Sequence, residues 1–155
     1  MLPQGYETDS VLQLETNIDD LSPEWVGFAV ERLRENGALD VWITPIQMKK
    51  GRPGILLSLL CEKEKLDLLS HIIFTETGAF GLRLTEVIRL KLHRDFIEVE
   101  TEFGFVTVKR GFRGEELVQV APEYEICRIR ALSAGVPFQR VYDAAKQAAT
   151  AAQAV

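Results

Sequence analysis

The feature that most limits what this chain can fold into is a change of hydrophobic period that recurs in a set order between Ser10 and His93. Ser10 to Ile18 alternates, with Leu12, Leu14, Thr16 and Ile18 on one face and Gln13, Glu15 and Asn17 on the other, the period of a half-buried strand. Ser22-Pro23-Glu24 reads as a helix start, Val26, Val30 and Leu33 recur at helical spacing, and Gly37 is placed to end the helix. Ala38 to Ile46 predicts a second strand. Gly54 to Cys61 predicts a third, deeper one because both of its faces are apolar. Glu62 to Thr75 is helical by pattern, and a glycine-containing loop, Glu76 to Phe80, leads to a fourth strand. There Leu82, Leu84, Ile88, Leu90 and Leu92 share a face opposite Arg83, Arg89, Lys91 and His93; Glu86 interrupts the apolar side, so a bulge turning it outward is expected. The order βαββαβ predicts an α+β fold with a ferredoxin-like core over residues 1–93.

From Arg94 the texture changes. Ile97 to Thr101 and Phe105 to Arg110 predict a hairpin around Gly104, and Glu115 to Val120 a further strand. Pro122 to Ser133 and Pro137 to about Ala149 are helical by pattern, with an alanine-rich tail expected to fray. Residues 94–155 are thus expected as a β-hairpin and helical extension, packed on the core or swapped between subunits.

Charge and residue counts narrow the function. With 18 Lys plus Arg against 23 Asp plus Glu the chain carries −5, so a dedicated polynucleotide binder is not expected. The longest apolar stretch, Ile55 to Cys61, falls far short of the ~20 residues of a membrane span, and no leader pattern appears, so a cytoplasmic protein is expected. Two cysteines, Cys61 and Cys127, and two histidines, His71 and His93, argue against a disulfide framework or a His/Cys metal site within one subunit. A cation held here should be a hard one on oxygen ligands, or a softer one whose ligands come from elsewhere.

The predicted topology brings three stretches to one sheet edge: Asn17-Ile18-Asp19-Asp20, Gln47 to Gly54, and Glu76-Thr77-Gly78. In the second, Lys49, Lys50 and Arg52 concentrate positive charge in a negative chain, while Gly51 and Gly54 permit close backbone approach. That suits a polyphosphate, since ammonium groups neutralise charge and a guanidinium can bind two oxygens. Taken alone, a solvated basic turn is the simpler reading. Asp19 and Asp20, with Asn17 and Glu15 near, offer oxygens of the kind Mg²⁺ or Mn²⁺ accepts beside phosphate; alone, they read as acids favouring a helix N-terminus. Thr77 is positioned to bond a phosphate. Tyr124 reads as a half-buried tyrosine, and Trp25 and Trp42 as core or interface anchors.

The blocks Leu14-Glu15-Thr16-Asn17-Ile18-Asp19-Asp20, Gly37-Ala38-Leu39-Asp40-Val41, Thr44 to Gly54 with its Met48-Lys49-Lys50-Gly51-Arg52-Pro53-Gly54 run, and Val120-Ala121-Pro122-Glu123-Tyr124-Glu125 together resemble the LarC family of nickel insertion proteins. The resemblance covers nearly the whole chain and corresponds to the C-terminal part of those proteins, so their N-terminal domain is an expected partner absent here. It implies a nickel chelatase (a lyase) that loads Ni²⁺ into pyridinium-3,5-bisthiocarboxylic acid mononucleotide, in maturation of the lactate racemase cofactor. It also implies a CTP-dependent step with Mn²⁺ or Mg²⁺, CTP binding by this domain, and a homo-oligomer, trimer or hexamer. On that basis Lys49, Lys50, Gly51, Arg52, Gly54 and Thr77 are expected at the nucleotide, and Asp19, Asp20 and Asn17 at its metal ion. A reading of another class stands beside it: a non-catalytic ferredoxin-like module for sensing or oligomerisation, its interface on the sheet face of Arg83, Arg89 and Lys91.

Overall fold

The computed structural model describes residues 3–152. The chain divides into two compact units, one of Thr8–Arg89 and the other combining the chain before Thr8 with the chain from Leu90 onward.

The first unit is built from β1 (Glu7–Ile18), α1 (Pro23–Glu35), β2 (Asp40–Gln47), β3 (Pro53–Cys61), α2 (Leu66–Thr77) and β4 (Arg83–Lys91). Its four-stranded sheet has the order β2-β3-β1-β4. β3 is antiparallel to both β1, with Leu14 opposite Leu59, and β2, with Val41 opposite Leu59. β1 and β2 therefore run parallel with β3 between them, the split βαβ arrangement expected from the period changes. Ser22 caps α1 by accepting the Glu24 amide at 3.3 Å, with Pro23 in the first turn. Proline is tolerated at Pro45 because β2 is an edge strand. One sheet face meets one stripe of each helix: Leu14, Val41, Leu57 and Leu59 close on Val30 and Leu33 of α1 and on Leu69, Ile72 and Ile73 of α2.

β4 departs from expectation. Leu82 packs on this core, but Leu84, Ile88 and Leu90 are 53, 60 and 45 % exposed. Glu86 shares that open side and stays in water, accepting hydrogen bonds from Ser10 at 2.6 Å and Lys63 at 2.9 Å. A carboxylate there carries no burial cost, so the outward bulge has nothing to solve. Trp25, at 64 % exposed, is not a core residue; Val26, Val30 and Leu33 fill the buried stripe instead.

In the second unit, β5 (His93–Thr101), β6 (Gly104–Arg113) and β7 (Glu116–Pro122) form a three-stranded antiparallel sheet in that order. The strands run longer than the sequence pattern suggested, and α3 (Tyr124–Ala134) and α4 (Phe138–Ala151) follow. Val99, Val106 and Val108 pack with Cys127 and Ala131 of α3 and Val141, Ala145 and Ala149 of α4. Of the alanine-rich tail, Thr150 and Ala151 continue α4 and, like Ala152, are exposed; residues 153–155 lie outside the described residues. Tyr124 is 64 % exposed, its ring 5.2 Å from that of Phe138.

Candidate functional site

The end of β1 and the β2–β3 connection meet at one edge of the first unit's sheet. Ile18 is the register partner of Ile55, while Ile46 faces Gly54 and Gln47 faces Pro53. A Cβ on Gly54 would come within 2.8 Å of both the Ile18 carbonyl oxygen and Met48 Cγ, and 3.3 Å of Asp19 Cβ. Only glycine lets β3 start this close to the acidic turn. The connection closes on itself, the Met48 amide donating to the Arg52 carbonyl at 2.8 Å. Its apex holds Lys50 at φ 61° and Gly51 at φ 68°. For lysine that left-handed backbone is an uncommon conformation and a local strain.

The geometry puts opposite charges in one place. Arg52 Nη1 lies 3.6 Å from Asp19 Oδ2. That oxygen is buried and accepts no hydrogen bond, whereas Asp20 is exposed. Lys49 and Lys50 are exposed, and no ion pair joins either to an acid among the described residues. Asn17 donates to Met48 Sδ at 3.3 Å and accepts from Arg83 Nη2 at 2.7 Å. The hollow beside the loop is lined by Pro45, Ile46, Gln47, Gly51 and Pro53, an apolar shelf next to the cations.

The third predicted stretch contributes less. Thr77 is only 4 % exposed. Its hydroxyl donates to the Ile73 carbonyl at 2.6 Å and accepts the Ala79 amide at 3.3 Å, fastening the end of α2. It is corrected from a phosphate contact to a helix-end bond, because both of its hydrogen-bonding roles are already filled. Glu76 pairs with Arg32. Arg83 is the residue the sequence reading did not bring to this edge: besides Asn17 it lies 3.6 Å from Glu15. The ferredoxin-like strand order carries the signal: β4 neighbours β1, so its first residue falls beside the end of β1.

Among the described residues no group of three or more His, Cys, Asp or Glu side chains could enclose a metal ion. A hard cation here would find one buried, unbonded carboxylate oxygen on Asp19 and exposed oxygens on Asp20. That donor set fits Mg²⁺ or Mn²⁺ that takes its remaining ligands from phosphate and water. Both cysteines are free and buried, and burial raises their thiol pKa values; Cys61 pairs with Leu12, at the end of the β1–β3 ladder away from this edge.

The sequence matches the model of a family described as nickel insertion protein over residues 1–142. It is 46 % identical over 140 residues to the pyridinium-3,5-bisthiocarboxylic acid mononucleotide nickel insertion protein of Acetivibrio thermocellus, covering 90 % of this chain and 34 % of that protein. To the protein of the same name from Clostridium acetobutylicum it is 49 % identical over 131 residues, covering 84 % of this chain and 31 % of the other. The chain therefore spans about a third of these relatives' length. In structure it is similar to LarC2, the C-terminal domain of a cyclometallase involved in synthesis of the NPN cofactor of lactate racemase, in its apo form. The TM-score is 0.86 at 38 % identity, with 93 % of this chain and 99 % of that one covered. A protein from Methanopyrus kandleri shares the fold, with a TM-score of 0.72 at 24 % identity over 90 % of this chain and 88 % of that one.

Proposed function

Because the chain belongs to the nickel insertion protein family, we propose that it is the CTP- and metal-binding part of a nickel insertase acting on pyridinium-3,5-bisthiocarboxylic acid mononucleotide. Nickel is the cargo, delivered to the sulfur of that substrate, and insertion belongs to the full-length protein with its N-terminal domain. The observation that carries the nucleotide role is the buried, unbonded Asp19 Oδ2 held beside Arg52, under a loop with two unpaired lysines.

Lys49 and Lys50 neutralise the triphosphate. Arg52 exchanges its 3.6 Å contact with Asp19 for two phosphate oxygens. Gly51 and Gly54 let the backbone approach. Asp19, with Asp20 and Asn17, holds the Mg²⁺ or Mn²⁺ ion that offsets charge between neighbouring phosphates when bound. The Pro45–Ile46 shelf supplies an apolar surface for the base. Calorimetry with Mn²⁺ and CTP tests this. Binding should require the ion and favour CTP over the other nucleoside triphosphates, and Lys49→Ala with Lys50→Ala should weaken it at ~1.5–3 kcal/mol per lost charged contact. Equal binding of every triphosphate, or none, removes the proposal.

One observation favours assembly as a concurrent role. Leu84, Ile88 and Leu90 leave an apolar face of β4 open in the single chain, and exposed apolar area of that kind marks interaction sites. A homo-oligomer, trimer or hexamer, would use it. The alternative interface has less support, because Arg83 and Arg89 are engaged within the chain by Asn17, Glu15 and Asp9.

A further inference from the structure

The second unit carries a hollow that the triphosphate site does not use. It has a volume near 360 Å³ and is lined by Leu92, Arg94, Lys109, Gly111, Gln119 and Ala121, together with Arg110. Two cross-strand rows build it. Arg94 faces Gly111 and Gly111 faces Gln119; in the next row Phe96 faces Lys109 and Lys109 faces Ala121. Strand alternation sets these side chains on the side opposite Val106 and Val108, away from the helices' core.

A Cβ on Gly111 would stand 2.9 Å from Leu92 Cδ1 and 3.3 Å from Gln119 Cβ, so the missing side chain lets Leu92 pack down over Gly111, and Leu92 with Ala121 makes a low floor. The floor is apolar and the rim is cationic. Diagonal cross-strand neighbours such as Arg94 and Lys109 have Cβ atoms ~7–8 Å apart, a span over which a guanidinium and an ammonium converge on one phosphate. Arg110 is not available for this, because its guanidinium is forked onto Asp95 at 2.8 and 2.5 Å. Glu98 and Glu100 lie farther along the same face by alternation, and among the described residues no ion pair joins them to Arg94 or Lys109. Phe96, 60 % exposed, offers an aromatic face beside Lys109.

We propose that this hollow is a second anion site, taking a phosphate monoester whose organic group bears a planar ring: the phosphate between Arg94 and Lys109, the ring over Leu92 and Ala121 and against Phe96. It is independent of the triphosphate reading of the 47–54 loop, because none of its residues belongs to that loop.

Amide NMR titration of the chain tests it with three probes: nicotinate mononucleotide, ribose 5-phosphate and inorganic phosphate. The ring-bearing ester should shift the Gly111 and Gln119 amides saturably and bind about tenfold tighter than ribose 5-phosphate, with inorganic phosphate weakest. Arg94→Gln with Lys109→Gln should weaken it about tenfold or more, with wild-type spectral dispersion showing that the fold is kept. Ala121→Val, which raises the floor and keeps both charges, should weaken the ring ester and spare inorganic phosphate. Lys49→Ala with Lys50→Ala should leave these shifts unchanged. Shifts confined to residues 47–54, equal affinity for all three probes, or undiminished binding by the Arg94/Lys109 variant would each overturn the assignment.

Discussion

Asp19→Asn separates the two things an acidic side chain at the sheet edge can do. The buried Oδ2 accepts no hydrogen bond, and an unsatisfied buried polar atom costs about 1–3 kcal/mol. Its compensation is Arg52, 3.6 Å away on a side chain that is 54 % exposed, and a pair screened that way contributes about 0–1 kcal/mol. Neutralising the group therefore removes a small attraction together with a desolvation cost of similar or greater size. The variant should stay within about 1 kcal/mol of wild type, either way, in urea unfolding at neutral pH. Nucleotide binding should respond quite differently. Losing one charged contact to the cation is worth about 1.5–3 kcal/mol, which corresponds to about a 10- to 150-fold weaker Kd. Calorimetry with Mn²⁺ and CTP on the same preparation reads the second quantity. A carboxylate kept at the expense of stability is the mark of a group selected for binding. If the variant binds Mn–CTP as wild type does, or loses more than about 3 kcal/mol of stability, the residue is structural and the reasoning is wrong.

Three further outcomes follow from the packing and the ion pairs. Gly54→Ala drives a Cβ to 2.8 Å from the Ile18 carbonyl oxygen and Met48 Cγ, and should destabilise the protein by about 1–3 kcal/mol while weakening nucleotide binding, both measurable on one sample. Leu59→Ala empties a site with no exposure at the centre of the first sheet and should cost about 2–5 kcal/mol in urea unfolding; a loss below about 1 kcal/mol would contradict the core assignment. The fork from Arg110 holds the Asp95 carboxyl below its ordinary value. A carboxyl depressed in the folded state stabilises it above the unfolded pKa of ~3.9, and the gain is lost as pH falls through the folded value. Asp95→Asn should therefore be less stable than wild type at pH ~7 and approach it as the pH drops below ~4. A gap that stays constant across that range would assign the effect to packing instead.

The elements of the first unit were legible because each has a clean period: Leu12 to Ile18 alternates, Val26, Val30 and Leu33 step helically, and Ser22-Pro23 and Gly37 punctuate. The meeting of the acidic turn with the basic loop followed from topology alone. What failed were inferences from one residue's character to its surroundings. Leu84, Ile88 and Leu90 alternate like a buried face, yet periodicity reports only that apolar residues share a side; which layer covers that side is a tertiary matter. Trp25 shows the same limit: its type suits a core or an interface anchor alike, and only its angle, just off the buried stripe of α1, removes the first. Thr77 was misread because the hydroxyl bond to a carbonyl four residues back is invisible unless the helix is known to reach it. Arg83 escaped because it is distant in sequence from Asn17 and adjacent only through the strand order.

The alanines of α4 act as a spacer gauge. Ala145 and Ala149 are wholly enclosed against Val99, Val106 and Val108, so the gap between that helix and its sheet is set by a single methyl group. A stretch that composition alone would class as filler is thus enclosed as fully as the valines it meets. Surface loops can accept bulk, whereas one added branch on this inner row must push helix and strands apart, at about 1–3 kcal/mol.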